Sequence, residues 1–289
     1  LEEGHPRDLT YVHTCGQASA GKPGGMQYIA YEGLLKRVIG GHWGQSAKMM
    51  DLITENRIEA FNLPQGQMAN MFHSMALREP GKLSKVGLGT YIDPRIEGGK
   101  MNQKAIDSGY DTVGIVTVDG EEYIQYKPIP IDTLLIRGTY ADENGNISTE
   151  REAMVLEILP AVMATKRWGG KVICQVESVV ENGSIPPKDV VVPGVLVDAV
   201  VVCENPLEEH RQTYSWYYDP SYSGAVRVPE SALEVLPTEM RKIISRRAVA
   251  ELVPDQIINI GTGIPNENIG PIIAEEGLSD IVTITVESG

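Results

Sequence analysis

The stretch "DQIINIGTGIPNENIGPIIAEEGLSDIVTITV", residues 255–286, decides the fold. "DQIINI" reads as a strand, "GTGIPN" (261–266) as a glycine-rich turn, "ENIGPIIAEEG" (267–277) as a helix with its stop, and "IVTITV" (281–286) as a second strand. A strand–helix–strand unit of this length makes its two strands parallel. The sequence continues as "ESG", so a lone carboxylate, Glu287, stands just past the second strand. In open parallel sheets, ligands gather beyond the carboxyl ends of the strands. The turn holding Gly261 and Gly263, and Glu287 itself, both fall at such ends. Free backbone N–H groups in that turn and the start of the next helix favour an anion or a developing oxyanion. On pattern alone, G-x-G-x-P is not the dinucleotide fingerprint G-x-G-x-x-G, a nucleotide-binding reading stays open, and a strand-end glutamate also fits a solvated or salt-bridged carboxylate.

The same alternation runs upstream. "LTYVHT" (9–14) reads as a strand, "MQYIAYEGLLKRVIG" (26–40) as a helix ended by Gly40 and Gly41, and "SAKMMDLITEN" (46–56) as a helix. "IEAFNLP" (58–64) reads as a strand and "QGQMANMFHSMALRE" (65–79) as a helix closed by Pro-Gly. "TLLIRGTYADENGN" (133–146) is a strand running into an Asn-Gly turn, and "EAMVLEILPAVMATKRWGG" (152–170) is a helix. "KVICQVES" (171–178) and "VLVDAVVVC" (195–203) are buried strands. The fold class that follows is α/β, with open, largely parallel sheets and flanking helices. Residues 204–237 lose all periodicity and are rich in Pro, Ser and Tyr. They read as an ordered linker, although their aromatics leave a stacking platform open. The expected domains are therefore 1–203 and 238–289, the second opening with the helix "TEMRKIISRRAVAEL" (238–252).

Composition narrows the function classes. With 289 residues, 42% of them hydrophobic, the chain can bury a large core. A net charge of −14 argues against nucleic acid or anionic membrane as a general partner, while a local cluster of donors can still bind an anionic small molecule. No apolar run reaches 18 residues, so no transmembrane helix is expected. Cys15, Cys174 and Cys203 lie far apart; the last two sit in apolar runs and read as reduced core residues, which points to the cytoplasm. Five histidines without a paired spacing suggest no metal site.

"NIGTGIP" followed about twenty residues later by "VESG" resembles the catalytic region of family I coenzyme A transferases. "AYEGLLKRVIGGHWG", "AFNLPQGQ", "KVGLGTYIDPRIEGGKMN", "LIRGTYADENGNIS" and "VPGVLVDAVVV" are similar to the propionate (and lactate or acetate) CoA-transferases of anaerobic bacteria. The resemblance implies a transfer of coenzyme A from a short-chain acyl-CoA to a small carboxylate, by a ping-pong route through a glutamyl-CoA thioester on Glu287. Glutamate suits this because it is ionised at neutral pH and needs no general base. Gln65 in "PQG" then acts as an amide donor to the reacting carbonyl, with Gly66 permitting close approach, and Tyr91 lies in a loop beside the substrate pocket. Asp93 and Arg95 belong to that loop and equally fit a salt bridge. "GGHWGQ" (40–45) fits a wall of the acyl pocket, with Trp43 as readily a core residue. Arg241, Lys242, Arg246 and Arg247 are candidates for CoA phosphates, although their helical spacing fits an ion-paired face.

The same resemblance implies CoA as a substrate with no tightly bound cofactor, a homo-oligomer, and a first strand and Gly loop preceding residue 1. It also implies a second, similar domain that is only begun here and is continued past Gly289 in the same chain or a second one. Two rival readings remain: an acyl-CoA hydrolase on this fold, and a non-catalytic domain binding a nucleotide or sugar phosphate.

Overall fold

A computed structural model describes residues 5–16, 24–261 and 263–286. It divides the chain into two compact units, Leu1–Tyr218 and Asp219–Gly289.

In the first unit, β1 (Leu9–His13), β2 (Leu35–Gly40) and β3 (Glu59–Asn62) form a wholly parallel sheet with β2 central, in the register Val12–Ile39–Phe61. The crossover from β2 to β3 is helix α1 (Ala47–Thr54), started by Ser46, whose hydroxyl accepts the Met49 amide at 3.3 Å. β3 leads through Leu63 and Pro64 into α2 (Gln65–Ala76). One expectation fails here: residues 26–40 are not a helix. They form a short 3-10 turn (Gly25–Tyr28) and then strand β2. The adjacent residues Val38 and Ile39 point to opposite faces of the sheet and are both 0% exposed. A central strand buried on both faces gives the clustered apolar spacing of a helix without being one.

Next comes a three-stranded antiparallel sheet that the sequence reading does not contain: β4 (Lys82–Ser84), β5 (Val113–Val118) and β6 (Glu121–Tyr126), ordered β4-β6-β5, with helix α3 (Gln103–Asp107) between β4 and β5. The β5–β6 hairpin turns on Asp119 and Gly120, both at positive φ as a two-residue hairpin loop requires. The second parallel sheet of the unit is β7 (Thr133–Arg137), β9 (Lys171–Val176) and β11 (Ala199–Val202), ordered β11-β9-β7. Beside it β8 (Tyr140–Asp142) pairs with β10 (Ser178–Val180), also in parallel.

Helix α4 (Ile158–Arg167) is shorter than the 152–170 expected. Leu156 takes a positive φ, and Met154, Val155 and Leu156 are exposed, so a further turn of helix would bury nothing. Strand β11 starts at Ala199 rather than 195 and is an edge strand, not a buried one, with Val201 and Val202 about half exposed. Cys174 and Cys203 are buried and free. Met68, Met71 and Met75 of α2 share a core with Ala161 and Ala164 of α4, which brings both helices onto the sheets.

The first half of the 204–237 stretch packs on this unit. After the short helix α5 (Pro206–Glu209), His210 is 1% exposed, 3.1 Å from Gln175 and 3.4 Å from Glu152. Tyr217 and Tyr218 both lie against the Arg151 guanidinium, at 4.8 and 4.2 Å. These aromatics are occupied by protein.

The second unit follows the opening stretch closely. β12 (Gln256–Ile260) and β13 (Val282–Val286) are parallel neighbours joined by α7 (Ile264–Glu275), with α6 (Met240–Val249) packed alongside. Val249, Ile260, Ile269, Ile272, Ile273 and Val282 make its core. Among the described residues, no helix is long and apolar enough to cross a membrane.

Candidate active site

In the first unit the carboxyl ends of β1, β2 and β3 converge. The chain leaves β2 through Gly40 and Gly41, β1 through His13 and Thr14, and β3 through Asn62 into the start of α2. Gly41 donates to the Thr14 carbonyl at 3.2 Å, and Leu63 donates to the Gly40 carbonyl at 3.1 Å. The approach is close: a β-carbon on Gly41 would stand 2.4 Å from the Thr14 carbonyl oxygen and 3.0 Å from Cβ of Gln65. Only glycine lets Gln65 rest on this strand end.

Gln65 opens α2, with Pro64 ahead of it and no side chain capping the helix. The Gln67 amide turns back to the Pro64 carbonyl at 2.9 Å, which leaves the N–H groups of Gln65 and Gly66, at the positive end of the dipole, to meet a ligand. Gln65 is half-buried, and among the described residues its side-chain amide makes no hydrogen bond. Gly66 beside it is exposed, with no heavy atom within 4 Å of where a β-carbon would stand.

Tyr91 reaches the same place from another direction. Its hydroxyl donates to Oδ1 of Asn62. Its loop is held by Asp93, 2% exposed, whose carboxylate accepts from the Gly89 amide and from the Arg95 amide, Nε and Nη2 at 2.8 to 3.0 Å. The Arg95 guanidinium, then the Gly89 amide, hold the Asp93 carboxyl well below the usual carboxylate range. Asp93 and Arg95 thus fold the loop that presents Tyr91. Burial, with the Glu97 charge second, raises the Tyr91 phenol.

Trp43 lies in the core at 2% exposure, its indole N–H donating to the Phe61 carbonyl at 3.2 Å. His13 stacks on it at 4.4 Å and 21°. Burial lowers the His13 pKa to about 4, so its imidazole is neutral near pH 7. Neither ring nitrogen closes a hydrogen bond of good geometry, although the His42 backbone stands close by.

In the second unit, Ile260 pairs with Val286, so β12 and β13 end side by side. Glu287, the candidate nucleophile, and Thr262 of the turn lie outside the described residues. Gly261 leaves β12, and Gly263 starts α7 at φ 120° and ψ −151°, a conformation essentially confined to glycine. The four cations of α6 are taken by carboxylates: Arg241 by Glu267, Lys242 by Glu275, Arg246 by Glu276 and Arg247 by Glu251. Lys242, 5% exposed, also donates to the Leu236 carbonyl at 2.7 Å and belongs to the fold of this unit.

The structure brings Tyr91 to the strand ends beside Gln65 and Gly66, and sequence reasoning misses Asn62, which joins Tyr91 to Gly40 and Gly41. Its only local signal is a polar residue closing the apolar run "IEAF".

The family model for coenzyme A transferases matches residues 5–203. This chain belongs to that family. Caffeate CoA-transferase of Acetobacterium woodii is 40% identical over 288 residues, covering 100% of this chain and 54% of the relative. Acetate CoA-transferase YdiF of Escherichia coli K12 is 36% identical, covering 98% of this chain and 52% of the relative. The crystal structure of the acyl-CoA transferase YdiF of Escherichia coli O157:H7, as a thioester complex with CoA, superposes with a TM-score of 0.87 at 36% identity, over 100% of this chain and 53% of that one. The chain spans about half the length of the curated relatives it matches. The relatives named here are called caffeate and acetate transferases; none of these names carries propionate.

Proposed function

We propose that this chain is part of a CoA-transferase that moves coenzyme A from an acyl-CoA to a carboxylate through a covalent intermediate on Glu287. The observation that carries the reading is the unengaged amide of Gln65 at an uncapped helix start, at the carboxyl ends of a parallel sheet, in a chain of this family. CoA enters as a substrate rather than as a resident cofactor. Short-chain acids of the propionate, acetate and lactate class are the proposed acceptors.

The chemistry runs through two exchanges. The Glu287 carboxylate attacks the donor thioester carbonyl, and the tetrahedral oxyanion collapses by breaking the C–S bond. A mixed anhydride and CoA thiolate result. The thiolate then attacks the glutamyl carbonyl of the anhydride, breaks its C–O bond and releases the donor acid as a carboxylate. The enzyme now holds CoA as a glutamyl thioester. The acceptor carboxylate runs the same two steps in reverse, giving the new acyl-CoA and free Glu287. No proton need be transferred, so a general base is not required. Carboxylate is a weak nucleophile, and the barrier falls through alignment and oxyanion donors. Gln65 supplies one such donor, and as a neutral amide it cannot compete as an acid.

The test uses the full-length protein carrying this sequence, incubated with an acyl-CoA and no acceptor acid. CoA should become attached to the peptide containing "VESG", and hydride reduction should convert that adduct to the alcohol of the glutamyl side chain, with a defined mass change. Glu287→Ala should abolish both adduct and transfer. An adduct on another residue, or normal transfer by the alanine variant, overturns the assignment. Continued turnover to free acid and free CoA, beyond one equivalent per site and without any carboxylate acceptor, would instead identify a hydrolase.

A further inference from the structure

We infer that Asn62 is a positioning residue, coupling the Tyr91 loop to the strand end on which Gln65 rests. The inference builds on the reading of Gln65 as an oxyanion donor. It starts from a side chain whose partners are all distant in sequence. Asn62 Nδ2 donates to two consecutive backbone carbonyls, Gly40 at 3.2 Å and Gly41 at 2.8 Å, while Oδ1 accepts from the Tyr91 hydroxyl. Its backbone amide donates to the Gly99 carbonyl at 2.8 Å. An asparagine that merely ends a strand bonds its own backbone two residues on. This one bonds none of its near neighbours.

The position of these bonds gives them consequence. The β2–β3 ladder ends with the pair Gly40 and Asn62. One residue further, the Gly41 N–H still donates to the Thr14 carbonyl at 3.2 Å, but the peptide that carries the Gly41 carbonyl has left the ladder. The Asn62 amide takes the place of the missing ladder bond and fixes that peptide. Gly41 in turn lies against Gln65, whose Cα and Cβ stand 3.2 and 3.0 Å from the place of a Gly41 β-carbon. Holding Gly41 therefore holds the stem of Gln65. On the other side, the hydroxyl of a tyrosine 45% exposed to solvent is anchored to the same amide. Loop and strand end are joined through one planar group with both kinds of hydrogen-bonding atom, which aspartate cannot replace. A carboxylate oxygen at the Nδ2 position would face two carbonyl oxygens and be repelled by both.

The experiment is a set of crossed substitutions in the full-length protein, read by kcat, KM and unfolding midpoint. Asn62→Asp should lower kcat by about 10²-fold, the penalty of displacing a catalytic group by roughly an ångström, with little change in KM for the acyl-CoA. Asn62→Ser keeps one donor and should fall between wild type and Asp, and it serves where the aspartate variant folds poorly. The decisive comparison is made in a Gln65→Ala background. There Asn62→Asp should cause no further loss of kcat, because its route to the chemistry has gone. An equal fold-loss in both backgrounds overturns the inference, since a general weakening of the fold acts regardless of Gln65. If the wild type transfers no CoA to any carboxylate, the functional reading falls, and amide hydrogen exchange decides the positioning by itself. Faster exchange in Asn62→Asp at Gly41 and Leu63, whose amides donate to the Thr14 and Gly40 carbonyls, supports it, and unchanged protection at both overturns it.

Discussion

Two glycine-built turns stand at the carboxyl ends of parallel strands, one in each unit, and they need glycine for different reasons. Gly41 in the first unit is a matter of space: the Thr14 carbonyl and the stem of Gln65 occupy the volume of a side chain. Gly263 in the second is a matter of conformation: its surroundings are open, with Pro265 Cδ 4.0 Å away, but its φ of 120° suits no other residue. The first turn is held by the Thr14 and Leu63 backbone and further pinned by side chains, through the Asn62 amide and the tyrosine it anchors. The second is shaped by its own backbone between a strand ladder and a helix. The difference matches the proposed division of labour. A donor that must be aimed is braced from several sides, whereas the ladder of the second unit ends at Val286, one residue before the proposed nucleophile.

The comparison breaks most easily at position 41. Gly41→Ala should destabilise the first unit by about 3 kcal/mol, the upper end of overpacking costs, because the carbonyl it meets is backbone and cannot step aside. Gly41→Val should cost more still. Unfolding midpoints, assigned to each unit by hydrogen exchange of its peptides, measure this directly. A loss no larger than at a surface site would mean that the strand ends are looser than described.

Position 263 should behave otherwise. Gly263→Ala should destabilise the second unit by about 2 kcal/mol, the usual strain of a non-glycine residue in this region. Since there is room, Ser or Asn should cost about the same as Ala. A cost rising with side-chain size, as at 41, would erase the distinction between the two turns.

The same contrast explains what could be read in the sequence. The second unit was legible because it is local: strand, glycine turn, helix and strand follow one another, and each partner lies within about thirty residues. β2 was misread because it is buried on both faces and so carries no alternation. The antiparallel sheet of β4, β5 and β6 escaped because its strands, "KLS" and "EEYIQY" among them, are polar and partly exposed, with too few apolar residues to set a period. Gln65 and Tyr91 were visible only through resemblance. Asn62 left no more than a polar residue at the end of an apolar run, since its partners at 40, 41 and 91 are set by strand order and by a loop held on Asp93. The α6 cations show the opposite failure: a run of four charges suggests a ligand, but helical neighbours and α7 had already matched each with a carboxylate.

The smallest expected effect is at Gly66, and it has two readouts of opposite sign. Gly66 belongs to the first turn of α2, is exposed, and meets nothing within 4 Å of a new β-carbon. Nothing in the packing or the backbone asks for glycine there. Glycine costs a helix roughly 0.5–1 kcal/mol relative to alanine, mostly in chain entropy, so Gly66→Ala should stabilise the first unit by about 0.5 kcal/mol. If the substrate approaches this backbone, the added methyl should also raise KM for the acyl-CoA several-fold while leaving the Gln65 donor in place. A more stable protein that binds its substrate less well would mark Gly66 as glycine for the ligand's sake, a third reason beside the space needed at 41 and the conformation needed at 263. A more stable protein with unchanged KM would remove Gly66 from the site, and the open side of α2 would then carry Gln65 alone.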